Sequence, residues 1–147
     1  MSPLYMRFFT LVGIALFMAS MQVKARAETL SAPEAQQVQA VILAQLKAFA
    51  DDDAEAAFET ATPEVRKSIG QAGLFLAMVR GNYPMVYRPA AYGFLPPEVE
   101  NNQVMQVVTL RDADDKTWLA LFQLERQPDQ TWRISGCIVA ENDWRST

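Results

Sequence analysis

The sequence predicts an α+β fold in which short N-terminal helices pack on a curved antiparallel sheet of about four strands. Apolar residues recur at helical spacing over roughly residues 32–80, whereas after Gly81 they alternate with polar residues as in strands. Short polar turns separate the later apolar segments. Helices first and an antiparallel meander afterwards indicate helices that lie on one face of the sheet.

The first predicted helix begins after Ser31. Ser31 and Glu34 fit the S-x-x-E capping box, and Pro33 lies in the first turn, where its missing N–H does no harm. One stripe of this helix, expected to face the core, contains Val38, Val41, Ile42, Gln45, Leu46 and Phe49. The helix is expected to end in the acidic run at 51–53, where Asp52 or Asp53 can cap the next helix, AEAAFETA.

Two more helices complete the predicted helical half. Thr62 and Pro63 form a cap and a first helical position, and the segment PEVRKSI is expected to end at Gly70. The segment LFLAMVR is expected to end at Gly81, again because glycine relieves a left-handed helix end. Four short helices are therefore predicted before the sheet.

The second half predicts the strands. The aromatic, proline-rich stretch NYPMVYRPAAYGFLPP is expected to form a crossover loop and an edge strand. The segments QVMQVVTL, TWLALFQLER and TWRISGCIVA are expected to be strands, joined by the turns RDADDK and QPDQ.

The alternation of apolar and polar residues predicts which face of the sheet each strand residue lies on. In the last strand the set expected to face the helices is Trp132, Ile134, Gly136 and Ile138, and the opposite set is Arg133, Ser135, Cys137 and Val139. In the preceding strand one face carries Trp118, Ala120, Phe122 and Leu124. Its other face keeps Leu119 and Leu121, which hints at self-association through the outer side of the sheet.

The N-terminus is typical of a secretory signal peptide. Arg7 precedes the apolar run FFTLVGIALFMA, and the small-x-small triplet Ala25-Arg26-Ala27 follows it. We expect cleavage after Ala27, export to the periplasm or medium, and a single mature domain over 28–147. An uncleaved membrane anchor is the alternative, because Lys24 and Arg26 resemble a stop-transfer flank.

Charge and composition narrow the function classes. Removal of residues 1–27 leaves 10 basic and 17 acidic side chains, a net charge of −7. We see no basic stripe, so a nucleic-acid partner is not expected, and after cleavage no membrane association is expected. The chain has one cysteine and no histidine, so an internal disulfide and the usual zinc ligands are not expected.

Candidate chemical groups are few. Cys137 lacks a histidine base, so packing is the favoured interpretation, with intermolecular pairing or oxidation sensing as alternatives. The run DADD at 112–115 has oxygen ligands but not calcium-loop spacing, which favours a solvated turn. Glu59, Glu125 and Asp53 are conceivable acid–base groups, although none stands alone in an apolar stretch. No catalytic residue, metal or cofactor is assigned.

The chain resembles the bacterial domain-of-unknown-function family 4864 in three segments: LKAFADDDAEAAFETATPEVRKSIG, FLAMVRGNYPMVYRPAAYGF and WLALFQLERQPDQTWRISGCIV. The resemblance covers roughly residues 35–140. The pattern as a whole also resembles the nuclear-transport-factor-2-like (cystatin-like) cone, in which helices pack into a strongly bent sheet. Such cones often hold a small pocket between sheet and helices, and many pair through the outer face of the sheet, so the resemblance implies this fold together with export. It implies no reaction.

The segment GNYPMVYRPAAY holds the densest cluster of polar-tipped aromatics. Tyr83, Tyr87 and Arg88, together with Trp118, are the predicted site for an anionic or amphipathic small ligand or a protein partner. The structural alternative is that the tyrosines pin this loop to the core while Arg88 pairs with an acid.

Three functions therefore remain open from the sequence. The leading hypothesis is a non-enzymatic binding module for a small molecule or a partner. The second is a dimerising adaptor that uses the outer sheet face through Leu119, Leu121 and Val139. The third is an acid–base enzyme, which requires a buried carboxylate with a raised pKa.

Overall fold

The computed structural model describes residues 30–143, so the predicted signal peptide lies outside the described residues. Five helices come first: α1 Ala32–Ala50, α2 Ala54–Glu59, α3 Pro63–Ile69, α4 Ala72–Asn82 and α5 Pro84–Tyr87. Five strands follow: β1 Ala91–Phe94, β2 Glu98–Glu100, β3 Gln103–Arg111, β4 Thr117–Arg126 and β5 Trp132–Glu141. None of the described helices has both the length and the apolar character needed to cross a membrane.

The strands form one antiparallel sheet, which confirms the predicted α+β fold. Its order is β1-β3-β4-β5, and β2 pairs with β3 beyond the end of β1. The sheet has five strands rather than about four because the three-residue segment Glu98–Glu100 also pairs, at the edge. The three long strands form most of the sheet, because β3, β4 and β5 pair over nearly their full lengths.

Local signals define most helix ends as predicted. Ser31 and Glu34 form the capping box of α1, and Asp53 Oδ1 accepts from the Ala56 N–H at 3.1 Å to cap α2. Thr62 caps α3, which ends at Gly70 with φ +99°, a backbone conformation that favours glycine.

The predicted end at Gly81 is wrong. Helix α4 continues through Gly81 to Asn82, and the chain leaves the helical conformation at Tyr83, with φ −133° and ψ 61°. Pro84 then starts the short helix α5, which occupies part of the predicted crossover loop. Proline is well suited to this first helical position because it needs no backbone N–H there.

The core lies between α1 and the inner face of the sheet. The buried side of α1 is the predicted stripe, in which Val38 and Ile42 are fully buried and Val41 is only partly buried. On β4 the predicted inner residues Ala120, Phe122 and Leu124 are fully buried. Burial alternates along both β3 and β4, so a single apolar face meets the helices.

The predicted faces of β5 are wrong beyond Ile134. Leu124 pairs with Ile134, but its neighbour Gln123 pairs with Gly136, so Ser135 is an extra residue in β5. This β-bulge reverses the alternation, because one added residue moves every later side chain to the other face. Two directly paired residues share a face, so the buried partners Phe122 and Ala120 show which residues point inward: Cys137 and Val139. Ile138 points outward and is 68% exposed.

A junction with the helical half holds β5 immediately before the bulge. The Thr62 N–H donates to the Ile134 carbonyl at 2.9 Å, and the Ile134 N–H donates to the Thr60 carbonyl at 2.8 Å. The Ser135 hydroxyl donates to the Gln123 carbonyl at 3.1 Å across the irregular pair. Both backbone groups of Ile134 therefore hydrogen-bond to the segment between α2 and α3. Where the ladder between β4 and β5 is broken, the Ser135 side chain supplies the hydrogen bond to β4.

We predict that Phe122→Ala lowers the free energy of unfolding by about 3–5 kcal/mol, because it removes a fully buried ring and leaves a cavity. The neighbouring Leu121→Ala lies on the outer face and is expected to cost about 1 kcal/mol. Urea unfolding of both variants measures the difference. Similar losses from the two would contradict the assignment of faces.

Candidate functional site

A cavity of about 210 Å³ lies between the helices and the part of β5 that follows the bulge. Its lining comes from α1, α3, α4, α5, the connections between them and β5. The residues are Gln45, Phe49, Ala61, Val65, Phe75, Met78, Val79, Tyr83, Val86, Ile134, Gly136, Cys137 and Val139. Met78 and Tyr83 are 39% and 41% exposed, so they form the rim through which the cavity meets solvent.

The bulge decides which side chains of β5 line the cavity. It turns Cys137 and Val139 toward the helices, whereas uninterrupted alternation would have placed Gly136 and Ile138 inward. The Cys137 and Val139 side chains, with the neighbouring Gly136, therefore form the β5 wall of the cavity.

The cavity wall is uncharged and mostly apolar. Its deepest polar residue is Gln45, which is 4% exposed. Across residues 30–143 the buried polar side chains are those of Gln45, Thr62 and Gln106. The acid–base hypothesis needs a buried carboxylate in such a pocket, and the lining residues supply none.

A short hydrogen-bond chain holds Gln45. Its Nε2 donates to Thr60 Oγ1 at 2.9 Å, and the same hydroxyl donates to the Ala57 carbonyl at 2.6 Å. Thr60 belongs to the segment that bonds Ile134, so the amide is tied to the junction that positions β5.

Of the four predicted ligand-binding residues, only Tyr83 lines this cavity. Tyr87 and Arg88 instead meet the C-terminal end of α1. Arg88 donates to the Ala50 carbonyl from both Nε (3.3 Å) and Nη2 (3.0 Å), and it pairs with Asp52 at 3.3 Å. The Tyr87 hydroxyl donates to Asp52 Oδ1 at 2.5 Å, and the Arg88 guanidinium lies 4.6 Å from the Tyr87 ring centre. This geometry matches the structural alternative, in which Arg88 pairs with an acid.

The contact with Asp52 changes the titration of Tyr87. The hydrogen bond that its hydroxyl donates to the carboxylate raises the pKa of Tyr87 above its ordinary value, since ionisation would break the bond. Asp52 has φ 54°, and its carboxylate also lies 4.0 Å from Arg80 of α4. One carboxylate at the end of α1 thus meets side chains from α4 and from the end of α5.

Trp118 belongs to a different place, the hairpin between β3 and β4. Its Nε1 donates to Asp112 Oδ2 at 2.9 Å, and Lys116 lies 5.8 Å from its ring centre. Asp112 also accepts from the backbone N–H groups of Asp114 and Lys116. The Trp118 hydrogen bond and these backbone donors lower the pKa of Asp112.

The acidic turn at 112–115 is organised by these donors. Within residues 30–143 the structure shows no group of three or more histidine, cysteine, aspartate or glutamate residues arranged to hold a metal ion. Two of the three acids considered as acid–base groups have structural contacts: Asp53 caps α2, and Glu125 accepts from Gln103 Nε2 at 3.2 Å. Arg126 pairs with Glu34 rather than with its neighbour Glu125.

Cys137 lies in the cavity wall and not on the outer face of the sheet. Its side chain reaches solvent, but the surrounding apolar residues raise the pKa of the Cys137 thiol to about 12. A thiol with so high a pKa is a weak nucleophile at neutral pH, because only the thiolate attacks. Packing in the pocket wall, rather than reactivity, describes this residue.

Sequence reasoning missed most of the cavity lining. One signal was visible: Gln45 is the polar residue on an otherwise apolar stripe of α1. A polar side chain in such a position must find a partner or face a cavity. The inward turn of Cys137 and Val139 had only a weak signal, because a glycine inside a strand, such as Gly136, can mark a bulge but does not show which residue is the extra one.

The profile of a protein family described as a domain of unknown function (DUF4864) matches residues 31–147. A search of curated proteins finds no match.

We predict that iodoacetamide modifies Cys137 in the folded protein at pH 8 at least about tenfold more slowly than in urea. The raised pKa leaves far less thiolate at that pH, an effect offset only in part by the greater nucleophilicity of a basic thiolate. Mass spectrometry of the alkylated protein gives the rates, and the folded rate is expected to rise steadily up to about pH 12.

The matched control combines Cys137→Ser with Ile138→Cys, which moves the thiol one residue along β5 to the outer face. This thiol is expected to react at nearly the unfolded rate. Fast alkylation of native Cys137 would contradict an apolar environment for its sulfur.

Proposed function

This chain belongs to the DUF4864 family, and we propose that its domain is a non-enzymatic binding module for a small, uncharged, mostly apolar ligand. The observation that carries the proposal is the cavity beside β5, with its uncharged wall and its rim of Met78 and Tyr83. Concave apolar sites with a few polar groups are the usual form of small-molecule pockets.

Because the cavity lining carries no charged side chain, it favours a neutral ligand over a charged one. Moving a charged group from water into an apolar site costs several kcal/mol unless an opposite charge meets it. Arg88, the cation of the predicted site, is engaged by Asp52 and the Ala50 carbonyl at the end of α1. The ligand proposed here is therefore neutral, and its contacts centre on Tyr83 rather than on Tyr87, Arg88 and Trp118.

The size of the cavity limits the ligand further. At about 210 Å³ it is smaller than the roughly 300–1,000 Å³ typical of pockets for drug-sized molecules. An engineered cavity of about 150 Å³ in another protein binds benzene. One aromatic ring or a short branched alkyl group, with one or two polar atoms, fits this volume.

The proposal includes a setting for the domain. A nuclear-transport-factor-2-like cone is supported by helices that pack on one face of a sheet bent at the Ser135 bulge. Export to the periplasm or medium, with cleavage after Ala27, is supported by the basic start, the apolar run and the A-x-A triplet of the sequence. The ligand is then a small molecule of that compartment.

We predict that toluene binds the mature protein with a Kd of the order of 1 mM or tighter, as expected for seven heavy atoms in an apolar cavity. Methyl NMR spectra titrated with toluene are expected to shift at Val79, Val86 and Val139. Val139→Phe fills the cavity from β5 and is expected to abolish these shifts.

Ile138→Phe is the matched control, because it adds the same ring to the adjacent residue on the opposite face. It is expected to leave toluene binding intact. If neither toluene nor the neutral, hydrogen-bonding ring compound phenol shifts the cavity methyl groups of the wild-type protein, the proposed function fails. Native mass spectrometry of protein purified from periplasm would show a natural ligand as an added mass lost on denaturation.

A second candidate, a homodimerising adaptor, is favoured by one observation on the outer face of the sheet. Val107, Leu121 and Ile138 occupy one row across β3, β4 and β5, and Ile138 is 68% exposed. Leu119 lies on the same outer face of β4, two residues from Leu121, whereas Val139 belongs to the cavity and Ile138 takes its place on the outer face. A second copy of the chain, offering the same apolar row, is the proposed partner.

Under this candidate, Ile138→Asp is expected to convert a dimer into a monomer, since it buries a charge at the centre of the interface. Sedimentation equilibrium of the mature protein at high concentration measures the mass. Tyr92→Asp is the control, because it places the same charge on another exposed side chain, on β1. A wild-type protein that stays monomeric would end this candidate.

A further inference from the structure

We infer that the ligand of the cavity carries a hydrogen-bond donor, a neutral hydroxyl or N–H group, that meets Gln45 Oε1. This inference rests on the proposed function and names its ligand class: small phenols, alcohols or amides rather than hydrocarbons or carboxylic acids. It makes Gln45 a specificity-determining residue and Thr60 the residue that positions it.

The hydrogen bonds around Thr60 fix the orientation of the Gln45 amide. A hydroxyl has one proton, and the Thr60 proton is directed to the Ala57 carbonyl at 2.6 Å. Thr60 Oγ1 must then act as the acceptor toward Gln45, so the atom 2.9 Å away must be the amide nitrogen. A flipped amide would set two acceptors against each other, and Oε1 is therefore the atom that faces away from Thr60.

That oxygen has no donor among the described residues. The contacts of residues 30–143 give Gln45 Oε1 no hydrogen bond, although the side chain is only 4% exposed. The oxygen is not among the fully enclosed unpaired atoms, so it retains accessible surface. Gln45 lines the cavity and its Nε2 is turned to Thr60, so Oε1 is assigned to the cavity wall.

An acceptor in this position discriminates between ligands. An apolar ligand would cover Oε1 and leave it without water or a donor, whereas a hydroxyl or N–H group would complete the pair. The other polar groups of the lining do not serve as a buried acceptor in place of Oε1. The Tyr83 side chain is exposed on the rim, and the Cys137 thiol offers only weak hydrogen bonding. A carboxylate ligand would bring two more acceptors and a charge to an uncharged wall.

The test compares phenol with toluene, which has a methyl group in place of the hydroxyl. Methyl NMR titrations give a Kd for each ligand in the wild-type protein and in Gln45→Met, which keeps the length of the side chain but lacks the amide. The quantity of interest is the ratio of the toluene Kd to the phenol Kd. The cost of removing each ligand from water is common to both proteins and cancels when the ratios are compared.

The ratio is expected to be about tenfold larger in the wild-type protein than in Gln45→Met. Thr60→Val gives an independent reading, because it removes the hydroxyl that orients the amide and leaves Gln45 in place. We expect it to lower the ratio severalfold, and it keeps the inference testable if Gln45→Met does not fold.

The possible outcomes separate the role of Gln45 from the role of the cavity as a ligand site. Equal ratios in the wild-type and variant proteins, with both ligands bound, would overturn the role of Gln45 and leave the cavity as a ligand site. A failure of both ligands to shift the wild-type cavity methyl groups would overturn the proposed function and this inference with it. A ratio that falls in both variants supports the assignment of Gln45 as the acceptor.

Discussion

The fold and the cavity depend on the junction at which Ile134 gives both backbone groups to the segment between α2 and α3. That junction fixes β5 against the helical half one residue before the bulge. The extra residue, Ser135, then exchanges the two faces of the rest of the strand. The β5 wall of the cavity and the exposed apolar row around Ile138 both follow from this insertion, because it turns Cys137 and Val139 inward and Ile138 outward.

Thr60 connects this backbone junction to the chemistry of the cavity. Its carbonyl accepts from the Ile134 N–H, while its hydroxyl receives the Gln45 amide and donates to Ala57. A residue at the end of a six-residue helix therefore sets both the position of a strand and the direction of an amide on α1. Such hydrogen-bond chains fix the orientation of buried polar side chains, because each group in the chain has only one favourable arrangement of donors and acceptors.

The contacts of Asp52 join the end of α1 to α4 and to the end of α5. The end of α1 meets Tyr87 and Arg88 at the end of α5, and Arg80 of α4 approaches the same carboxylate. These contacts are solvent-exposed, and each pair is expected to be worth little by itself. Their number and their position at helix ends indicate that they set the orientation of α4 and α5, the helices that carry Met78 and Val86 to the cavity on either side of Tyr83.

The sequence by itself determined the elements whose signals are local. The capping box at Ser31, the cap at Thr62, the glycine end at Gly70 and the inner face of β4 were all readable, because each depends on residues within a few positions of one another. Gly81 shows the limit of that reasoning: a glycine permits a helix end without requiring one, and here α4 continues past it. Only the tertiary structure decided which side chains surround the cavity. The bulge at Ser135 is set by contacts with residues 60–62, and the partners of Tyr87 and Arg88 lie some 35–38 positions away in the chain. Alternation and spacing carry no information about contacts over such separations, so the faces of β5 and the free acceptor of Gln45 were fixed only when the helices and the sheet came together.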